Sequence, residues 1–195
     1  MTTYLLSRRA LGACAAAALL AGAAPSAFAQ QKLLPAQSDI SFSIKQMGVP
    51  VEGRFKKFDA QLALDPKKPE GGKVSIVIDT ASAGFGVADA DTELPRAPWF
   101  AVTKYPQATF QSTAIKGVGP GKLEVAGKLT VKGNSRDVTV PVALAQAGGV
   151  TTASGTFAIK RLDFKIGEGE WTDTSMVAND VQVKFKLAFS GVGPL

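Results

Sequence analysis

Apolar and polar residues alternate along most of this chain. Ile40, Phe42 and Ile44 are interleaved with Ser41, Ser43 and Lys45, and Phe58, Ala60, Leu62 and Leu64 follow with Asp59 and Gln61 between them. The same period of two marks Val74–Ile76–Ile78, Ala108–Phe110–Ser112 and Leu123–Val125–Gly127–Leu129–Val131. It returns in Val138–Val140–Val142–Leu144, Ala153–Gly155–Phe157–Ile159 and Val181–Val183–Phe185–Leu187–Phe189. A period of two is the mark of a half-buried strand, so the pattern predicts about eight strands. Between them lie turn-forming residues: Asp65-Pro66 to Gly71-Gly72, Gly117 to Gly121, Lys132-Gly133-Asn134-Ser135 and Gly148-Gly149. Such short links imply antiparallel neighbours.

Two connections are longer. Residues 81–105 have room for a short helix around Asp89 to Leu94, and residues 165–179 form a loop containing Trp171. The expected fold is therefore all-β, an eight-stranded antiparallel barrel with a short helix in a long connecting loop. Closing the sheet removes exposed strand edges. In a membrane-spanning barrel the apolar face would meet lipid. Here one face is apolar and Phe-rich while the other carries lysines with Ser, Thr, Gln and Glu, and aromatic girdles are not evident, which favours an apolar interior. A barrel of this size is either filled by its own side chains or holds one small ligand.

The N-terminus has a different character. Ser7-Arg8-Arg9 precedes an apolar run from Ala10 to Ala24, Pro25 breaks it, and Ala27-Phe28-Ala29 offers small residues for cleavage. Residues 1–29 read as a secretory signal peptide and 30–195 as a single domain. The export route is Sec, with twin-arginine export as the alternative that Arg8-Arg9 suggests. Leu11-Gly12-Ala13-Cys14 imitates a lipoprotein box, but the apolar run follows the cysteine instead of preceding it. Removing 29 of the 195 residues leaves 166, and loss of Arg8 and Arg9 lowers the net charge from +6 to +4.

Absences narrow the chemistry. The chain has no histidine, and its one cysteine, Cys14, leaves with the signal. That excludes histidine acid–base and triad catalysis, histidine metal or haem ligation, disulfides and cysteine metal sites. Asp89-Ala90-Asp91-Thr92-Glu93 lacks the glycine and terminal glutamate of a calcium loop, and Gly117 to Lys122 lacks phosphate-loop spacing. Glu168, Glu170 and Asp173 lie in a glycine-containing loop that fixes no catalytic separation. Lysines spread over many strands form no nucleic-acid stripe. The expectation is a protein that is not an enzyme and has neither metal nor catalytic cofactor. Ten Phe against one Tyr and two Trp remain after the signal, so a cavity, if present, suits a long apolar ligand.

Several motifs stand out, in order, along the chain. They are Ser38 to Lys45, Val51-Glu52-Gly53-Arg54-Phe55 with Phe58, and Lys104-Tyr105-Pro106-Gln107-Ala108-Thr109-Phe110-Gln111-Ser112. Gly127-Lys128-Leu129-Thr130-Val131-Lys132-Gly133, Arg161-Leu162-Asp163-Phe164 with Gly167, and Asp180-Val181 complete the set. Taken together, over about Ala36 to Phe189, this series resembles the YceI-like family of periplasmic polyisoprenoid- and lipid-binding proteins. The resemblance implies a lipocalin-like barrel that holds a long isoprenoid lipid, a polyprenyl chain or an isoprenoid quinone, for storage or transport. Relatives found beside cytochrome b561-type membrane proteins suggest such a partner for a quinone carrier, and a homodimer is a further expectation. The alternative is an interaction module with a filled barrel whose long loops contact a membrane or protein.

On this reading the ligand-binding candidates are Phe42, Ile44, Gln46, Phe55, Phe58, Phe110, Phe157 and Phe164, with Trp99, Phe100 and Trp171 at the tunnel mouth. Gln46 stands where many relatives have histidine, and Glu93-Leu94-Pro95-Arg96-Ala97-Pro98-Trp99-Phe100 departs from a histidine-containing family segment. Arg54, Arg161 and Asp163 are candidates for orienting a head group, or for the more ordinary role of a structural ion pair.

Overall fold

The computed structural model describes residues 31–195; the signal-peptide reading falls outside them. Along the chain run β1 (Lys32–Leu33), β2 (Asp39–Gln46), β3 (Val49–Phe55), β4 (Phe58–Ala63), β5 (Lys73–Asp79) and β6 (Ala83–Gly84). Then come helix α1 (Ala88–Glu93), β7 (Gln107–Gly119), β8 (Lys122–Val131), β9 (Asn134–Ala147), β10 (Val150–Lys160) and β11 (Val177–Ser190). All pairings are antiparallel, in the order β4-β5-β7-β8-β9-β10-β11-β2-β3-β6, with β1 added on β11.

The expected antiparallel barrel and its short helix are present, but the sheet has eleven strands where eight are expected: β3 and the two-residue strands β1 and β6 are additional. Val49–Phe55, to which the alternation assigns no strand, is paired with β2 from Gln46↔Val49 to Ile40↔Phe55. After the two lysines Lys56 and Lys57 the chain resumes as β4 and pairs with β5, Phe58 facing Ile78. β3 and β4 are thus one strand that changes partner at a kink, and this strand joins the two ends of the curled sheet. The change of partner leaves two notches. At one, β6 pairs with β3 through Arg54↔Gly84 and Phe55↔Ala83. At the other, the Gln31 amide exchanges hydrogen bonds with the Leu64 backbone, accepting from its N–H at 3.0 Å and donating to its C=O at 2.7 Å.

Turn chemistry sets the register. Met47-Gly48, Lys132-Gly133 and Gly148-Gly149 each have positive φ at both residues, the two-residue hairpin geometry whose twist matches the flanking strands. The apolar faces point inward. On β8, Leu123, Val125, Leu129 and Val131 are buried while Lys122, Glu124 and Lys128 are exposed. β11 repeats this with Val181 and Leu187 inside and Gln182, Lys184 and Lys186 outside. The interior divides into a large cluster along the barrel and a smaller one of Leu33, Ile40, Ala60, Leu187, Phe189 and Val192 beneath β1.

Candidate functional site

The inward side chains do not fill the barrel. They surround a cavity of about 420 Å³, within the range of small-molecule sites. Its wall follows β11 from Val177 through Val181, Val183, Phe185 and Leu187 to Phe189. At about 3.3 Å per residue this is roughly 40 Å of strand contour. Opposite walls come from Ile76 and Ile78 on β5, Phe110 and Ile115 on β7, Val125 and Leu129 on β8, and Val140 and Val142 on β9. Among some forty lining residues the polar ones are few: Gln46, Glu93, Thr151 and Arg161.

Nine of the eleven candidates meet at this cavity: Phe42, Ile44, Gln46, Phe55, Trp99, Phe100, Phe110, Phe157 and Trp171. Phe58 and Phe164 do not line it. Phe58 sits at the strand kink and packs on the smaller cluster around Leu33 and Ile40. Phe164 is buried in the turn Arg161–Phe164, in the large core cluster. Much of the wall is aliphatic, which the phenylalanine positions alone do not mark. Ile76, Ile78, Val125, Leu129 and Val183 were all legible as inward positions of alternating strands.

The two long connections close one end together. The Gly167 and Glu168 N–H groups both donate to the Pro98 C=O, and the Trp99 and Trp171 rings lie 5.4 Å apart. Phe42, Phe55, Phe85 and Phe100 form a chain of rings with centroids 5.2 to 6.0 Å apart, bringing β2, β3 and the 81–105 connection into contact. α1 is held over this region by Asp91, whose carboxylate accepts from the Phe85 and Gly86 N–H groups.

Two buried cations fasten this end. Arg161 is 1% exposed, and its guanidinium donates to five backbone carbonyls, those of Ile166, Gly167, Trp171, Val177 and Ala178. The structural ion pair expected of Arg161 and Asp163 is not formed: Asp163 is exposed, and carbonyl dipoles stabilise the cation instead. All five donors are used internally, so the residue shapes the loop and has none free for a head group. Burial lowers the Arg161 pKa from its ordinary value. Lys132, in the left-handed turn after β8, buries its ammonium among the carbonyls of Ala97, Pro98 and Lys165 and pairs with Glu168 at 2.8 Å.

The hydrogen bond from Lys132 holds the Glu168 carboxyl below its ordinary range, with the charges of Lys132 and Lys165 acting in the same direction. A carboxylate whose pKa is lowered by folding contributes stability that is present above its unfolded value of about 4.3 and is lost as pH falls through the folded value. Thermal unfolding should therefore show an acid limb below the unfolded value of about 4.3 that Glu168→Gln flattens, the difference between the proteins narrowing as pH falls. Equal slopes in the two proteins would show that Glu168 does not contribute. Among the described residues no group of three His, Cys, Asp or Glu side chains is placed to hold a metal.

Comparison with known proteins places this architecture among relatives. The family model described as a YceI-like domain matches residues 32–189. A UPF0312 protein from Ectopseudomonas mendocina is 34% identical over an alignment of 138 positions that covers 65% of this chain and 70% of that one. The crystal structure of Burkholderia cenocepacia BcnA superposes with a TM-score of 0.78 at 46% identity, covering 80% of this chain and 99% of that one. A polyisoprenoid binding domain from Saccharophagus degradans, implicated in plant cell wall breakdown, shares the fold. Its TM-score is 0.67 at 16% identity, over 83% of this chain and 98% of that one.

Proposed function

The chain belongs to the YceI-like family, and from that premise we propose that it is a periplasmic binding protein that encloses one long isoprenoid lipid, a polyprenyl chain or an isoprenoid quinone, for storage or transport. The observation that carries this reading is the unfilled lumen with its nearly uninterrupted apolar wall. Removing an apolar chain from water is worth roughly 0.8 kcal/mol per buried CH₂, so a wall offering contact along its length is sufficient to hold one. The polyisoprenoid-binding domain with the same fold supports this ligand class. The polar groups at the cavity are few, and Arg161 has its donors committed, which favours binding over catalysis. The open cavity disfavours the alternative of a filled barrel acting only through its loops. A quinone cargo would suit exchange with a membrane redox protein of the cytochrome b561 type.

The test is mass spectrometry of an organic extract from protein isolated out of its own periplasm without detergent. The expected result is an isoprenoid lipid at near-stoichiometric amount, its head group naming the cargo. A blank extract from protein that also fails to take up an added isoprenoid quinone would overturn the proposal.

A further inference from the structure

We infer that phenylalanine–glycine pairs set the bore of the lumen, and that Gly53 is a specificity-determining position for the width of the chain admitted; this rests on the binding function proposed above. Glycine inside a strand weakens it, having no side chain to pack and the most freedom to lose. Of the glycines inside strands here, Gly53 in β3, Gly127 in β8 and Gly155 in β10 each lie against a phenylalanine ring. None has a positive φ, so backbone conformation does not demand glycine at these positions. Space does. A Cβ added at Gly53 would overlap the ring edge of Phe42, one at Gly127 would overlap that of Phe110, and one at Gly155 would come within 2.7 Å of the Phe185 ring.

Phe42, Phe110 and Phe185 all line the cavity, each on a strand paired with the one that bears its glycine. Each glycine lets a ring settle over the backbone of the next strand, against the wall, which leaves the centre of the lumen free. Gly53 is the cleanest of the three to probe. At Gly127 and Gly155 an added methyl would also strike backbone, the carbonyls of Gln111 and Pro141. At Gly53 the nearest atom besides the ring is the Gly84 carbonyl oxygen, at 3.0 Å. Phe42 has Phe55 at 5.2 Å and Phe85 at 5.3 Å on its flanks, so a methyl at position 53 turns its ring toward the lumen.

An isoprenoid chain carries a methyl branch on every repeat and is wider than a straight alkyl chain. The experiment titrates an isoprenoid quinone and a saturated straight-chain fatty acid into wild type, Gly53→Ala and Gly53→Ala/Phe42→Ala, each checked for folding by circular dichroism. Gly53→Ala should bind the quinone about tenfold more weakly, the equivalent of losing roughly two buried CH₂ contacts, and the fatty acid within about twofold of wild type. The double variant lacks the ring that the methyl would strike, so the clash is relieved and part of the quinone affinity should return, the wall contact of Phe42 itself being lost. Unchanged quinone binding in folded Gly53→Ala, equal losses for both probes, or a folded double variant no better than the single would each overturn the inference. Wild type binding neither probe would overturn the proposed function itself, and the gauge with it.

Discussion

Replacing Arg161 with glutamine is expected to lower the unfolding free energy by about 3–5 kcal/mol, read as a shift of the urea midpoint. The magnitude follows from what is left behind. Five carbonyls, from Ile166 to Ala178, turn toward one guanidinium, and three of these contacts lie in the buried interior. An orphaned buried acceptor costs about 1–3 kcal/mol, reduced where water can reach it. Against the 5–15 kcal/mol that stabilises an ordinary domain this is a severe loss. Arg161→Lys keeps the charge but brings three donors where five are needed, so it should recover only part of it. A loss under about 1 kcal/mol for the glutamine variant would mean that the 161–178 segment is held by other contacts.

The same residue shows where the sequence stops being informative. Arg161 stands two positions before Asp163, and a neighbouring carboxylate suggests an ion pair. Its true partners are carbonyls as far along as Ala178, brought within reach by a loop whose path has no periodic signal. Val49–Phe55 was missed for a related reason. Pro50, Gly53 and Arg54 look like turn residues locally, and the reason for Gly53 is the Phe42 ring on the adjacent strand. By contrast, β8 and β11 were legible almost residue by residue, because alternation alone separates inside from outside once one face is buried. The short helix was legible too, forming at Ala88–Glu93 within the stretch where the connection had room for it. Legibility of the site followed the same rule. Phe42, Ile44, Phe110 and Phe157 lie mid-strand on inward faces and reach the cavity, whereas Phe58, the first residue of β4 beside the kink, and Phe164 in a turn do not; Trp99, Phe100 and Trp171 reach it from the long connections, where no alternation marks them. Arrangement of the end loops around Lys132 depends on contacts between segments more than thirty residues apart, which no local pattern records.

The central claim, that the lumen is where an apolar chain is held, predicts opposite outcomes for two adjacent residues. Val183 faces the cavity and lies in register with Phe42 on β2 and Phe157 on β10, whereas Lys184 is exposed on the outer face of the same strand. A carboxylate at position 183 must be desolvated, or neutralised by taking up a proton, whenever an apolar chain lies against it, and either course costs binding energy. The measurement is a titration of an isoprenoid quinone into wild type, Val183→Glu and Lys184→Glu, each shown to be folded. Lumen binding predicts a loss of at least about a hundredfold for Val183→Glu, equivalent to about 2.7 kcal/mol, and a change within about twofold for Lys184→Glu. Undiminished binding by Val183→Glu, or an equal loss in both variants, would contradict it.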